Sequence, residues 1–520
     1  MTQKFLTVFY QDTLDAPTIH EYIESVDRLE ELVSVQQAEG INNAVSNAIY
    51  VHENRIHVRP EWLEQRPALV FPSEIPFNKN YFLGTVFGMI GNRDKYPQYF
   101  TGFPSMLFLF DIMQAIINGE ECDAALENML HRTQFAHPFE NYAFNHNIAV
   151  ALNYGHYSSE INAAAIEAHY KDALELAFEP SYKAYTLKYY AAFLIDNGES
   201  RAAVQLLDDD HPDTREEYAT YSLERAWCQA AMKQVVFPCD PQLLTELRER
   251  IWGTLQFFEK HGHKIIAAFL WMDAAVLANS SNSYSESLGY ISKAIAYFKE
   301  EGQQEMMAQA ELVKGRLFCD WAQSGQPQFY RSALEAYHHA LHVFKKADAP
   351  EIFAEIHHQL GVIYAELPDE HKRRSIWAGL SATSFSEALD YYNKVDFPYE
   401  FSMICNNFAN AYTKYPGSGR TDNFEKALNY YDEALSVRQA ADYPTERAIT
   451  LLNYLEASWK ASNPSAGFNW ERYQGMIAKA QEIKSLTSDP ELLREAEKHL
   501  LLLEEMEQSF TDALVSPGMN

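Results

Sequence analysis

The chain has 520 residues, more than one ordinary hydrophobic core serves, and it is 47% hydrophobic and 22% charged, enough apolar surface to fold as several domains. Glycine and proline number 21 each, about 8% together where roughly 12% is usual, which excludes collagen-like, low-complexity and turn-rich all-β chains. The formal charge of −30 repels phosphate, so nucleic acid and anionic membrane are poor partners and a basic protein segment is a better one.

Cys122, Cys228, Cys239, Cys319 and Cys405 are scattered and form no C-x-x-C pair. That pattern predicts reduced thiols in a cytoplasmic protein rather than a disulfide framework or a zinc site. No apolar run is long enough to span a membrane, and Phe5 to Tyr10 is too short for the core of a signal peptide.

In chain order, Ile19, Tyr22, Val26, Leu29 and Val33 recur at helical spacing and predict a helix from Pro17 to about Gln37. Residues 49–51 and 55–58 alternate around Glu53-Asn54 and predict a hairpin. Pro60, Pro67, Pro72 and Pro76 interrupt the stretch after the hairpin, so residues 1–100 read as a small mixed segment. Helices are expected at 104–118, 122–131, 140–153, 160–177, 181–195 and 200–207. An acidic break comes next at Asp208–Asp213, and helices resume from 214 to 510. Gly119, Gly155 and Gly198 stand where left-handed helix caps belong. The expected organisation is 101–280 as degenerate helical repeats, 281–470 as regular repeats and 471–510 as a cap. In that cap Ser488 to Glu491 offer a capping box, with Pro490 at the first helical position.

Internal repetition carries most of the information. Small–large pairs about two helical turns apart recur at Ser287-Leu288 and Ala294-Ile295, Ala333-Leu334 and Ala340-Leu341, Ala388-Leu389 and Lys394-Val395, and Ala427-Leu428 and Ala434-Leu435. Tyr290, Tyr337, Tyr392 and Tyr431 fall between them. A second helix type alternates with the first, with Gly315, Gly361, Ala409 and Leu455 in equivalent places 46 to 48 residues apart. Two helix types at a near-constant spacing mean stacked helical hairpins. Small residues sit where the helices cross, and each hairpin needs the next to bury its apolar face.

Leu360-Gly361 with Tyr364, succeeded by Ala388 and Tyr392, resembles the tetratricopeptide repeat. So does Phe408-Ala409 with Tyr412, succeeded by Ala427, Tyr431 and Ala434. Residues 406–457 match best, and the chain is similar to the long-repeat variety found beside caspase-like (CHAT) peptidase domains in bacteria. The likeness covers roughly 284–460, with a segment from Pro368 to about Thr383 expected as an insert. It implies an all-α, right-handed superhelical solenoid of stacked antiparallel helix pairs, with the small mixed segment at its N-terminus.

The resemblance also implies a concave groove, lined by the first helix of each pair, that holds a protein or peptide. The equivalent places carry Gln359, Asn407 and Asn453, with His358, Asn406, Asn410, Glu456 and Trp459 nearby. Where relatives that clamp a C-terminal carboxylate use Lys or Arg, this chain has Glu355, Met403 and Ile449, so no such clamp is expected. Side-chain amides donate and accept, which suits a peptide backbone and equally suits neighbouring helices.

Chemistry finds little support. His52 and His57 flank Glu53 but are five apart, one more than H-E-x-x-H requires, and are expected to face solvent. His338 and His342 share a helical face without a patterned carboxylate, and no G-x-S-x-G elbow occurs. No catalytic, metal or cofactor residue is assigned. The sequence therefore points to a non-catalytic interaction scaffold. The alternatives are a ligand-responsive regulator of an effector such as a peptidase, and an enzyme with a site in residues 1–100 built on His52, Glu53 and His57.

Overall fold

A computed structural model of the chain describes residues 5–38, 47–59, 62, 67–130, 137–210, 212–236, 239–368, 371–417, 422–462 and 468–515. It divides into two compact units, Met1–Phe257 and Phe258–Asn520.

The first unit opens with β1 (Leu6–Tyr10), α1 (Asp15–Glu24), β2 (Val33–Gln37), β3 (Ala48–His52), β4 (Arg55–His57) and β5 (Ile75–Pro76). The sheet order is β2-β1-β3-β4-β5, with β1 parallel to both β2 and β3 and the remaining pairs antiparallel. Val8 lies opposite Val35 and Ile49. The helix expected over 17–37 is therefore corrected. It stops at Glu24, the chain turns through Arg28 in the left-handed region (φ 61°), and residues 33–37 pair with β1. Val33 fits a helical stripe and a strand alternation equally well, and only the pairing with β1 decides between them. The hairpin stands where expected, on a two-residue turn with Glu53 and Asn54 both at positive φ.

The rest of the first unit is helical. α2 (Lys79–Met89) presents Gly84 and Gly88, where a Cβ would meet the Phe100 and Phe110 rings at 2.8 and 2.6 Å. Then come α3 (Pro104–Asn118) and α4 (Asp123–Leu130), α5 (Pro138–Tyr154) and α6 (Ala163–Leu176), α7 (Pro180–Asp196) and α8 (Ser200–Asp209), and α9 (Glu217–Met232) and α10 (Pro241–Lys260). Each odd-numbered helix from α3 to α7 packs on its successor, and α3, α5, α7 and α9 also touch in series as a wall. Gly119 and Gly198 take positive φ at helix ends. Gly155 does not, with φ −83°; it is glycine for space, because a Cβ would meet the Ala151 carbonyl oxygen at 2.6 Å.

The second unit is a TPR-like solenoid. Its hairpins are α11 (Lys264–Ser280) with α12 (Tyr284–Glu300), α13 (Gln304–Gln323) with α14 (Phe329–Leu341), and α15 (Pro350–Glu366) with α16 (His371–Tyr391). Two more succeed them, α17 (Pro398–Lys414) with α18 (Asn423–Val437) and α19 (Pro444–Lys460) with α20 (Trp470–Leu486), before a closing α21 (Pro490–Val515). Small residues stand at the crossings, as the repeat pattern requires. A Cβ on Gly315 would meet the Tyr337 ring at 2.9 Å, and one on Gly361 the Phe385 ring at 2.9 Å. Ala409 and Leu455 are fully buried. The expected insert from Pro368 is corrected, since residues 371–383 form the first half of α16. Ser381 Oγ there donates to the Gly361 carbonyl at 2.6 Å, tying the helix to its partner at the crossing. The cap of α21 is Asp489 rather than Ser488, its carboxylate accepting from the amides of Glu491 and Leu492 at 2.8 and 3.2 Å.

Candidate functional site on the wall helices

Five wall helices, α5, α7, α15, α17 and α19, share a plan. Each has 17 residues with proline first, which fixes the helix start because proline needs no N–H there. Their twelfth residues, Ala149, Ala191, Gly361, Ala409 and Leu455, are all buried. Their tenth residues are then Asn147, Tyr189, Gln359, Asn407 and Asn453, and their ninth His146, Lys188, His358, Asn406 and Leu452. This register puts a polar tenth residue at the same place on all five helices, with a polar ninth residue on four of them.

In the second unit the row is a ladder. Asn407 Nδ2 donates to His358 Nε2 at 3.0 Å, Asn406 Nδ2 to Asn407 Oδ1 at 3.4 Å, and Asn453 Nδ2 to Asn406 Oδ1 at 3.4 Å. Burial pushes the His358 imidazole down to about 4, so it is neutral and its Nε2 is free to accept. His358 and Asn406 are 4% and 8% exposed and lie beneath the surface as supports. Asn407, Asn410, Asn453 and Glu456 line one cavity of about 310 Å³, together with Lys414 and Lys460. Asn410 Oδ1 accepts from Tyr431 Oη at 2.6 Å, and Lys414 pairs with Glu366. Among the described residues, Asn453 Oδ1 accepts no hydrogen bond. Gln359, half-buried on α15, does not line the cavity. Neither does Trp459, whose indole N–H donates to His499 Nδ1 at 2.9 Å on the capping helix α21.

The first unit shows the same row in use. Residues 67–72 adopt neither helix nor strand and run across the wall. The Asn147 amide grips one residue of this segment by both backbone groups. The Val70 N–H donates to Asn147 Oδ1 at 2.7 Å, and Asn147 Nδ2 donates to the Val70 carbonyl at 2.8 Å. His146 Nε2 reaches the Ala68 carbonyl at 2.7 Å, and Lys188 Nζ donates to the Trp62 carbonyl at 3.1 Å. Residues Ala68 to Phe71 are all buried, and burial pushes His146 down to about 4 as well. These three side chains escaped the sequence reading. The usable signal was the proline at the first helical position with a small residue eleven positions later, which carries the register from α17 back to α5 and α7.

The residues considered for chemistry come together only in part. His52 and His57 are cross-strand neighbours with rings 6.5 Å apart, and His52 Nε2 lies 3.6 Å from Glu53 Oε1. His57 is half-buried with Nε2 enclosed rather than facing solvent, on a cavity that it lines with Phe71, Phe139 and Tyr182. His338 Nε2 meets Tyr364 Oη at 3.2 Å. Among the described residues no three His, Cys, Asp or Glu side chains converge as metal ligands.

No family model matches the chain, and no curated protein does. Solved structures resemble it at low identity. A STAND-class signal-transduction ATPase with a tetratricopeptide repeat sensor from Pyrococcus horikoshii aligns over 96% of this chain and 77% of its own, at 11% identity and a TM-score of 0.42. The APC/C hetero-tetramer Cut9-Hcn1 aligns over 84% and 89%, at 13% identity and 0.33. Yeast Tom70 aligns over 83% and 100%, at 14% identity and 0.21. At those scores the TPR-like description rests on this chain's own hairpins and crossings.

Proposed function

We propose that the chain is a non-catalytic protein-interaction scaffold, and that its second unit holds a non-helical segment of a partner protein against α15, α17 and α19. The observation carrying this reading is the grip of Asn147 on both backbone groups of Val70. Asn407 and Asn453 occupy the same helical position as Asn147, and they open on a cavity. Backbone recognition tolerates many partner sequences, since every residue but proline offers one N–H and one C=O. The cavity lining carries Glu366 and Glu456 beside Lys414 and Lys460, so a near-neutral segment suits it better than a strongly basic one. A reducing, cytoplasmic setting is part of the proposal, supported by five cysteines that join in no disulfide, of which Cys122, Cys228, Cys319 and Cys405 are buried. No described helix is long and apolar enough to cross a membrane.

The test is affinity purification from the native cell with wild-type chain and with the double variant Asn407→Leu, Asn453→Leu. The variant is expected to lose the co-purifying protein while its circular dichroism stays unchanged. Equal recovery by both chains removes the groove from the proposal.

A further inference from the structure

We infer that the first unit binds a small uncharged aromatic molecule in a cavity bounded by α3, α4, α5 and the gripped segment. This site belongs to the first unit alone and does not depend on the groove of the second. The cavity holds about 560 Å³, within the roughly 300–1,000 Å³ of small-molecule sites. α3 and the residue before it supply Phe103, Phe108 and Leu109, α4 supplies Met129, and α5 supplies Phe139 and Ala143. Val70 and Pro72 of the gripped segment form part of the same lining.

Composition decides the class of ligand. Ten of the fourteen described lining residues are apolar, so most of a ligand's surface meets carbon there. The polar capacity is small. Asn147 spends both ends of its amide on Val70, and Glu140, the one carboxylate in the described lining, is not free. No lysine, arginine or histidine stands in that lining. An ion entering it sheds water without gaining a counter-ion, so an uncharged molecule is favoured. The rings point to an aromatic guest. Phe103 packs edge-on against Tyr81 at 5.5 Å and Phe139 against Tyr182 at 5.1 Å, which holds both in place. Phe108 is half-buried and makes no ring contact among the described residues, which leaves its face for the ligand. The Met129 thioether adapts to a ring edge.

The test is fluorescence titration of the full chain with N-phenylnaphthylamine and with anilinonaphthalene sulfonate, the same ring system carrying a negative charge. The uncharged probe is expected to bind saturably, one per chain, and at least tenfold more tightly than the sulfonate. Its binding is expected to slow hydrogen exchange over residues 67–72, because Val70 and Pro72 line the cavity. Ala143→Leu, which fills the cavity, and Phe108→Ala, at a half-buried position, are each expected to weaken the uncharged probe at least tenfold with an unchanged melting temperature. No saturable binding of the uncharged probe at micromolar concentration overturns the inference. So does a sulfonate that binds as tightly, unchanged exchange over residues 67–72 with the probe bound, or wild-type affinity in either folded variant.

Discussion

The clearest test of backbone recognition by the wall is Asn147, because there the bound segment belongs to the chain itself. Replacing Asn147 by Leu removes both partners of Val70, at 2.7 and 2.8 Å, and leaves a buried N–H and a buried C=O unpaired. Each such group costs about 1–3 kcal/mol, so the variant is expected to lose about 2–6 kcal/mol, a large part of the roughly 5–15 kcal/mol that holds a domain together. Asn147→Asp separates the two bonds. Its carboxylate still accepts from the Val70 N–H but turns a second oxygen toward the Val70 carbonyl, and protonation restores the donor. That variant is therefore expected to be damaged at pH 7 and partly rescued in mild acid, whereas the Leu variant is not. Hydrogen–deuterium exchange over residues 67–72, together with urea denaturation, reads both effects. Unchanged protection at Val70 in Asn147→Leu, with a loss below about 1 kcal/mol, would refute the reasoning and with it the analogy to Asn407 and Asn453.

The same geometry sets other outcomes. Gly361→Ala places a Cβ 2.9 Å from the buried Phe385 ring and is expected to destabilise by about 1–3 kcal/mol, while Gly289→Ala, with nothing within 4 Å, is expected to stabilise by about 0.5–1 kcal/mol. Chemical denaturation of the two variants side by side checks the pair, and a stabilised Gly361→Ala chain contradicts the close crossing. His146 is fully buried with its pKa lowered from 6.5 to about 4. Below pH 6.5 the unfolded chain takes a proton that the native state refuses, so stability is complete above that pH and falls as the pH drops to about 4. The loss reaches about 3 kcal/mol. His358, lowered from 6.5 to about 4 by the same burial, adds a loss of the same sign in the second unit. His358→Gln is expected to flatten that part of the pH–stability curve, and a curve identical to wild type counts against a neutral buried imidazole.

Much of this architecture was present in one dimension. Helix periodicity, the glycines and alanines at the crossings and the near-constant spacing of Gly315, Gly361, Ala409 and Leu455 are local facts, because each hairpin contacts chiefly its sequence neighbours. For the same reason Asn407, Asn410, Asn453 and Glu456 could be placed on one wall before any coordinates, and in the structure they line one cavity. What tertiary structure decided was non-local. Val33–Gln37 became a strand because β1 lies beside it, not because its own pattern demanded one. The hydrogen-bond partners of each amide were equally hidden. Asn147 meets Val70 across 77 residues and Asn407 meets His358 across 49, distances over which composition and period carry no information. A side-chain amide has the same donors and acceptors wherever it stands, so whether it serves a neighbouring helix, the chain's own backbone or a partner is set by the groups that folding brings within about 3 Å of it.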